Sequence, residues 1–147
     1  MESQIEACWS YLKLNGQKVP ALGLVVQGTL GTLPRKGEML TRIDTGYDGF
    51  LLLSEDNYKH VGLYLSELPR KYWPEGETVT GEVFKLRRAL ALVYVPKAGL
   101  KLEGYIDTFQ GNTENLAGLN FIKTMKLLLT GQVRKLALPK QLSRLPS

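Results

Sequence analysis

The residues best equipped for chemistry in this sequence stand together at 42–53, in the stretch RIDTGYDGFLLL. Asp44, Thr45 and Gly46 end one apolar run and Phe50 opens another, so a carboxylate would be held between two buried strands. Burying a carboxylate is costly unless it is well hydrogen-bonded or put to use, and the use that suits it is general acid or base work. Asp and Gly are also ordinary turn formers, and Asp48-Gly49 is a hairpin signal in its own right. Both readings, a bend between strands and a working carboxylate, stand at this point.

Other reactive side chains are few. Cys8 is the one cysteine and His60 the one histidine, and nothing in the sequence brings them together as nucleophile and base. Cys8 reads as a packing or surface residue, and His60, near the end of a short helix, as a capping or surface group favoured by the helix dipole. No cluster has metal-ligand spacing, so neither a metal nor a cofactor is expected. The formal charge is +5, and its excess is C-terminal: no acidic residue follows Glu114, while Lys123, Lys126, Arg134, Lys135, Lys140 and Arg144 do. These cations are spread among Leu and Ile, and no aromatic residue after Phe121 could stack on a base. They fit a solvated face, with Lys140 and Arg144 in a basic C-terminal tail at 139–147, and argue against nucleic acid as a partner.

With 147 residues, 44% hydrophobic and 22% charged, the composition is that of an ordinary globular domain. The start, MESQIEACWSYLKL, has no apolar signal segment, and the longest apolar run, 89–95, is far too short to cross a membrane. A lone cysteine agrees with a reducing compartment, so the expectation is a cytoplasmic protein without membrane contact.

The elements that must position the Asp-Thr-Gly read mostly as strands. Trp9 to Leu14 alternates, Asn15-Gly16 is a hairpin turn, and Val19 to Val26 resumes the apolar pattern. Gln27 to Gly37 reads as a loop, and Glu38 to Ile43 as the strand that delivers Asp44. Ser54 is a helix N-cap before Glu55 and Asp56, with Gly62 as the stop, which predicts about two helical turns. Residues 77–109 favour strands, and Pro74-Glu75-Gly76 reads as the turn of a projecting hairpin from Tyr72 to Phe84. Leu116, Leu119, Ile122 and Met125 fall at helical spacing, and Leu127 to Thr130 with Val133 to Leu138 flank a Gly131-Gln132 turn. The sum is a mainly β chain with one or two short helices, suited to a closed antiparallel barrel.

On these residues the sequence resembles the retropepsin-like aspartic peptidases, most of all the small prokaryotic single-domain members. Their motif runs Asp-Thr-Gly, aromatic, any residue, Gly, apolar strand. The second landmark, an apolar-apolar-Gly before a short helix, matches Leu116-Ala117-Gly118-Leu119-Asn120-Phe121-Ile122. The resemblance covers 38–130 and implies an acid-protease barrel in a single domain spanning 1–147, with 1–37 as an N-terminal hairpin and loop. It also implies Asp44 as the catalytic carboxylate, Thr45 and Gly46 as its support, and Asp48 as a substrate contact. Trp73, Glu75 and Gly76 would belong to a flap over the peptide. Tyr47 departs from the small residue that follows the motif in viral members, Ala117 from the common aliphatic residue and Asn120 from the Asp of small relatives, and none of these removes the carboxylate.

One Asp-Thr-Gly per chain implies two chains. Two carboxylates at close range share one proton: the ionised member takes a proton from water while the other donates to the scissile carbonyl. A two-fold homodimer would bring Asp44 and its mate together around a peptide or protein substrate. The alternatives are an inactive dimeric module of the same fold, binding peptides or serving assembly, and a basic nucleic-acid-binding β-barrel.

Overall fold

A computed structural model describes residues 5–29 and 37–130. The predicted Gly131-Gln132 turn, the strand after it, most of the loop before Glu38 and the basic tail lie outside the described residues.

The chain opens as predicted. Strand β1 (Ser10–Leu14) pairs antiparallel with β2 (Gln17–Gly28), and the turn between them places Asn15 at φ 52° and Gly16 at φ 81°. Two positive φ angles in succession are what a two-residue hairpin turn demands, and Asn-Gly meets the demand with little strain. β2 runs on through Gln27 and Gly28 because both pair with β7 (Arg87–Val95), so this end of the predicted loop is strand.

β3 (Met39–Ile43) pairs with β2 and ends at Asp44. β4 (Leu51–Leu52) follows the Asp44 turn, yet β3 and β4 are not partners. Between them lies β9 (Leu116–Ala117), parallel to β3 and antiparallel to β4. Asp48-Gly49 therefore makes a bend and not the two-residue hairpin its composition suggests. β8 (Leu100–Thr108) pairs with β4 on one side and β7 on the other. Since β7 returns to β2, the strands β2, β3, β9, β4, β8 and β7 close into a barrel of six. Its pairings are antiparallel except at β3–β9 and β4–β8, where a short strand runs beside a longer one.

Alternation sets the core. On β7 the side chains of Ala89, Ala91, Val93 and Val95 are buried while Tyr94 is exposed, as period-two geometry requires of a sheet with one wet face. They meet Leu22, Leu24, Val26, Leu51, Leu53, Leu102 and Ile106 in one hydrophobic cluster. Phe50 enters the cluster because Gly104 leaves room: a Cβ there would stand 2.4 Å from the Phe50 ring.

Helix α1 (Glu55–His60) begins as predicted, with Ser54 Oγ accepting a hydrogen bond from the Asn57 backbone N–H at 3.1 Å, and Gly62 follows it at φ 74°. His60 is exposed in the last turn. Helix α2 (Leu119–Leu129) buries Phe121 and Met125 and continues through Leu127 and Leu129, where a strand is expected. The hydrophobic spacing there serves both patterns, and packing on the barrel selects the helix.

The projecting hairpin exists but its tip differs from expectation. β5 (Glu75–Glu77) pairs with β6 (Val83–Lys85), so Glu75 and Gly76 are strand residues. The turn lies at 78–82, where Thr78 Oγ1 accepts from the Glu82 backbone N–H and Gly81 takes φ 91°. Tyr72 belongs to a short 3-10 helix, Arg70–Tyr72, ahead of the hairpin.

Candidate functional site

The Asp44 turn is built by its neighbours. The Asp44 backbone N–H donates to the Ala117 carbonyl at 2.9 Å, which continues the β3–β9 ladder to the turn itself. The Tyr47 N–H then donates to the Asp44 carbonyl at 3.1 Å, and the Gly46 N–H to Asp44 Oδ1 at 3.0 Å. One carboxylate oxygen is thus fixed by the backbone of its own turn, a local arrangement that Asp favours.

From the other side, the first residues of α2 hold the loop. The N–H groups of Gly118, Leu119 and Asn120 donate to the carbonyls of Phe50, Tyr47 and Gly49 at 2.9, 2.7 and 3.2 Å. A helix start leaves its first donors without intrahelical partners, and here the loop supplies the acceptors, so α2 needs no capping side chain. Close approach requires glycine: a Cβ at Gly118 would lie 2.7 Å from both the Tyr47 carbonyl and its ring.

Asp44 itself is not buried. Its side chain is 32% exposed in the single chain, and Thr45, Gly46 and Asp48 are exposed. This corrects the expectation of a carboxylate enclosed between strands: the strands are buried, and the turn projects beyond their ends. Arg42 stands beside it, with Nη2 at 3.9 Å from Asp44 Oδ2 and at 2.5 Å from Glu114 Oε2. A shallow groove of about 290 Å³ runs up to Arg42, Glu114 and Asn115 past Leu14 and Leu40.

Among the described residues no hydrogen bond or ion pair joins Trp73, Glu75 or Gly76 to this turn. Trp73 donates through Nε1 to the Leu68 carbonyl at 2.8 Å, and a Cβ at Gly76 would meet the Phe84 ring at 2.9 Å. Phe84 in turn packs edge-on against Phe109, with centroids 5.4 Å apart, which fixes the base of the hairpin. Among the described residues no group of His, Cys, Asp and Glu could hold a metal ion. Cys8 is buried.

Sequence reasoning passed over the polar residues behind the turn. Tyr47 is half-buried, and its hydroxyl donates to Asp107 Oδ2 at 2.9 Å. Asp107, 2% exposed on β8, also accepts from Arg88 Nε at 2.8 Å and Nη2 at 3.0 Å. Burial, with the Asp107 charge close by, pushes the Tyr47 hydroxyl far above the usual tyrosine range. The signal available in the sequence was a single acid inside the apolar strand GYIDT facing an Arg-Arg pair.

The barrel, with a short strand slotted between the arms of an Asp-Thr-Gly turn and a helix seated behind it, is a retropepsin-like fold. The chain is similar in structure to EIAV protease, solved in complex with the inhibitor HBY-793. The TM-score is 0.50 at 12% identity, over 78% of this chain and 95% of that one. The retroviral protease-like domain of Ddi1 from Leishmania major aligns at a TM-score of 0.43 and 14% identity, over 70% of this chain and 75% of that one. No family model matches the sequence. An uncharacterized protein of Archaeoglobus fulgidus is 27% identical over 113 residues, covering 75% of this chain and 85% of that protein. No helix among the described residues is long and apolar enough to cross a membrane.

Proposed function

We propose that the chain is an aspartic endopeptidase of the retropepsin kind, acting as a homodimer with one Asp44 from each protomer at the two-fold axis. The reading is carried by one observation: Asp44 tops a rigidly braced turn of this fold while its carboxylate stays open at the surface. Exposed Thr45 and Gly46 leave the same surface free to meet a second copy. In this reading 1–147 make one domain of the small prokaryotic type; the single domain is supported by the core cluster that spans Cys8 to Met125 among the described residues.

The chemistry needs two carboxylates and one proton between them. The ionised Asp44 takes a proton from a bound water, whose oxygen attacks the scissile carbonyl carbon. The protonated Asp44 gives its proton to the carbonyl oxygen. Collapse of the tetrahedral intermediate breaks the C–N bond, and a proton passes to the departing amine. A substrate peptide would lie along the groove beside Arg42 and Glu114, and Asp48, exposed four residues after Asp44, would be a further contact for it. The β5–β6 hairpin, carrying Glu75 and Gly76 and following Trp73, would cover it through a tip at 78–82, where Val79 is fully exposed. A cytoplasmic location goes with this reading.

The test is Asp44→Asn with a diverse peptide library. Hydrolysis by the wild type should be blocked by a transition-state-mimicking aspartic protease inhibitor, and the variant should lose at least about a thousandfold in kcat while remaining a folded dimer. Full activity in the purified variant would overturn the assignment. A wild type that binds peptides without cleaving them would point to the inactive module.

A further inference from the structure

Catalysis by Asp44 does not by itself account for a second, buried carboxylate behind the turn. Asp107 is 2% exposed, and both of its oxygens are engaged by Arg88 in a two-point grip. A buried ion pair of this kind adds little stability over an apolar replacement, so its presence points to a requirement of geometry. What it adds is an acceptor for the Tyr47 hydroxyl, at 2.9 Å.

Tyr47 is the hub of the turn. Its backbone N–H holds the Asp44 carbonyl, its own carbonyl receives the Leu119 N–H at 2.7 Å, and its side chain reaches across to β8. The space for that reach is reserved: a Cβ at Gly49 would stand 2.4 Å from the Tyr47 Oη, and one at Gly118 would stand 2.7 Å from its ring. We infer that Tyr47, Asp107 and Arg88 act as a positioning brace that fixes the orientation of the Asp44 carboxylate during turnover. This inference rests on the peptidase reading of Asp44.

The molecule supplies its own control. On the preceding residue of β7, Arg87 grips Glu67 through Nε at 2.7 Å and Nη2 at 3.1 Å. Glu67 in turn accepts from the hydroxyl of buried Tyr58 at 2.7 Å. The chemistry is the same, but Tyr58 sits on α1 and makes no hydrogen bond to the Asp44 turn. Tyr47→Phe and Tyr58→Phe each remove one hydroxyl from a matching network.

In Tyr47→Phe, kcat should fall about tenfold to a hundredfold with KM within about twofold of wild type, as small misplacements of a reacting group do. Tyr58→Phe should leave kcat unchanged while lowering the melting temperature at least as much. Amide exchange at Gly46, Tyr47 and Leu119 should quicken in the first variant alone. The brace is overturned if both variants lose the same kcat, or if Tyr47→Phe keeps wild-type kcat and exchange. If the wild type hydrolyses nothing, the peptidase reading falls separately, and the exchange comparison decides whether Tyr47 orders the turn.

Discussion

A Cβ placed on Gly118 would stand 2.1 Å from the carbonyl oxygen of Gly49. Gly118 has φ −85° and ψ 179°, angles open to any residue, so the demand for glycine is one of space alone. The obstructing atom is backbone, and that backbone is also held by Asn120 N–H. Gly118→Ala should therefore cost about 3 kcal/mol, at the upper end of overpacking penalties. Urea denaturation followed by tryptophan fluorescence would measure it, and a cost under about 1 kcal/mol would mean that the loop and α2 separate easily.

Two arginine–carboxylate pairs near the turn should behave differently. Arg88→Met leaves Asp107 charged and buried without its main partner, which should cost about 3–5 kcal/mol. Arg42→Met removes a half-exposed partner from Glu114, whose side chain is 55% exposed, and should cost less than about 1 kcal/mol. Chemical denaturation of both variants checks the contrast.

Stability should fall on the alkaline side. Burial, reinforced by Asp107, raises the Tyr47 hydroxyl above its ordinary value of 10.0. Burial, reinforced by the hydrogen bond to Glu67, does the same for Tyr58. A raised tyrosine stays protonated in the fold after the unfolded chain has begun to ionise. Its stabilising contribution is therefore complete below pH 10 and drains away above it. Each of these tyrosines contributes a slope of about 1.4 kcal/mol per pH unit, so the pair should give roughly 2.7 kcal/mol per unit above pH 10, and Tyr105, also raised by burial, adds to it in the same direction. Arg87 and Arg88 are raised from 12.5, so their contribution is lost only at still higher pH. Denaturation midpoints from pH 9 to 11 would read the slope, and Tyr47→Phe should lower it by about 1.4 kcal/mol per pH unit.

If Thr45 holds one protomer to the other, Thr45→Ala should weaken the dimer about tenfold, the equivalent of about 1.4 kcal/mol. Sedimentation across a dilution series would detect the shift, and specific activity should begin to fall at correspondingly higher protein concentration. An unchanged dissociation constant would remove Thr45 from the interface.

Much of this architecture is written in local chemistry. Asn15-Gly16, the Ser54 cap and Gly62 each determine their own backbone within a few residues, so hairpin and helix were legible where they occur. Asp44 was legible for the same reason, since Gly46 N–H closes onto its carboxylate. The neighbour of that turn was not. A strand as short as Leu116–Ala117 has no period, and Asp48-Gly49 points to local pairing of β3 with β4, which tertiary packing overrides. The tip of the β5–β6 hairpin was hidden by stronger turn formers beside it: Pro74-Glu75-Gly76 outweighs residues 78–82, although Gly81 marks the true turn. Asp107 was missed because one acid in an apolar strand announces a partner without naming it.

The slotting of β9 between the arms of the Asp44 turn also fixes when the site comes into being. Arg42 meets Glu114 across 72 residues of chain, and the Ser54 N–H meets Asn115 across 61. The carbonyls of Tyr47, Gly49 and Phe50 wait for the N–H groups of 118–120. Contacts so distant in sequence form late, after the closure entropy of a long loop has been met. During synthesis the Asp-Thr-Gly leaves the ribosome early and has no shape until β9 and the start of α2 follow it. Whatever chemistry Asp44 performs is therefore withheld from the nascent chain, and a truncation before residue 120 should be inert however well its N-terminal hairpin folds.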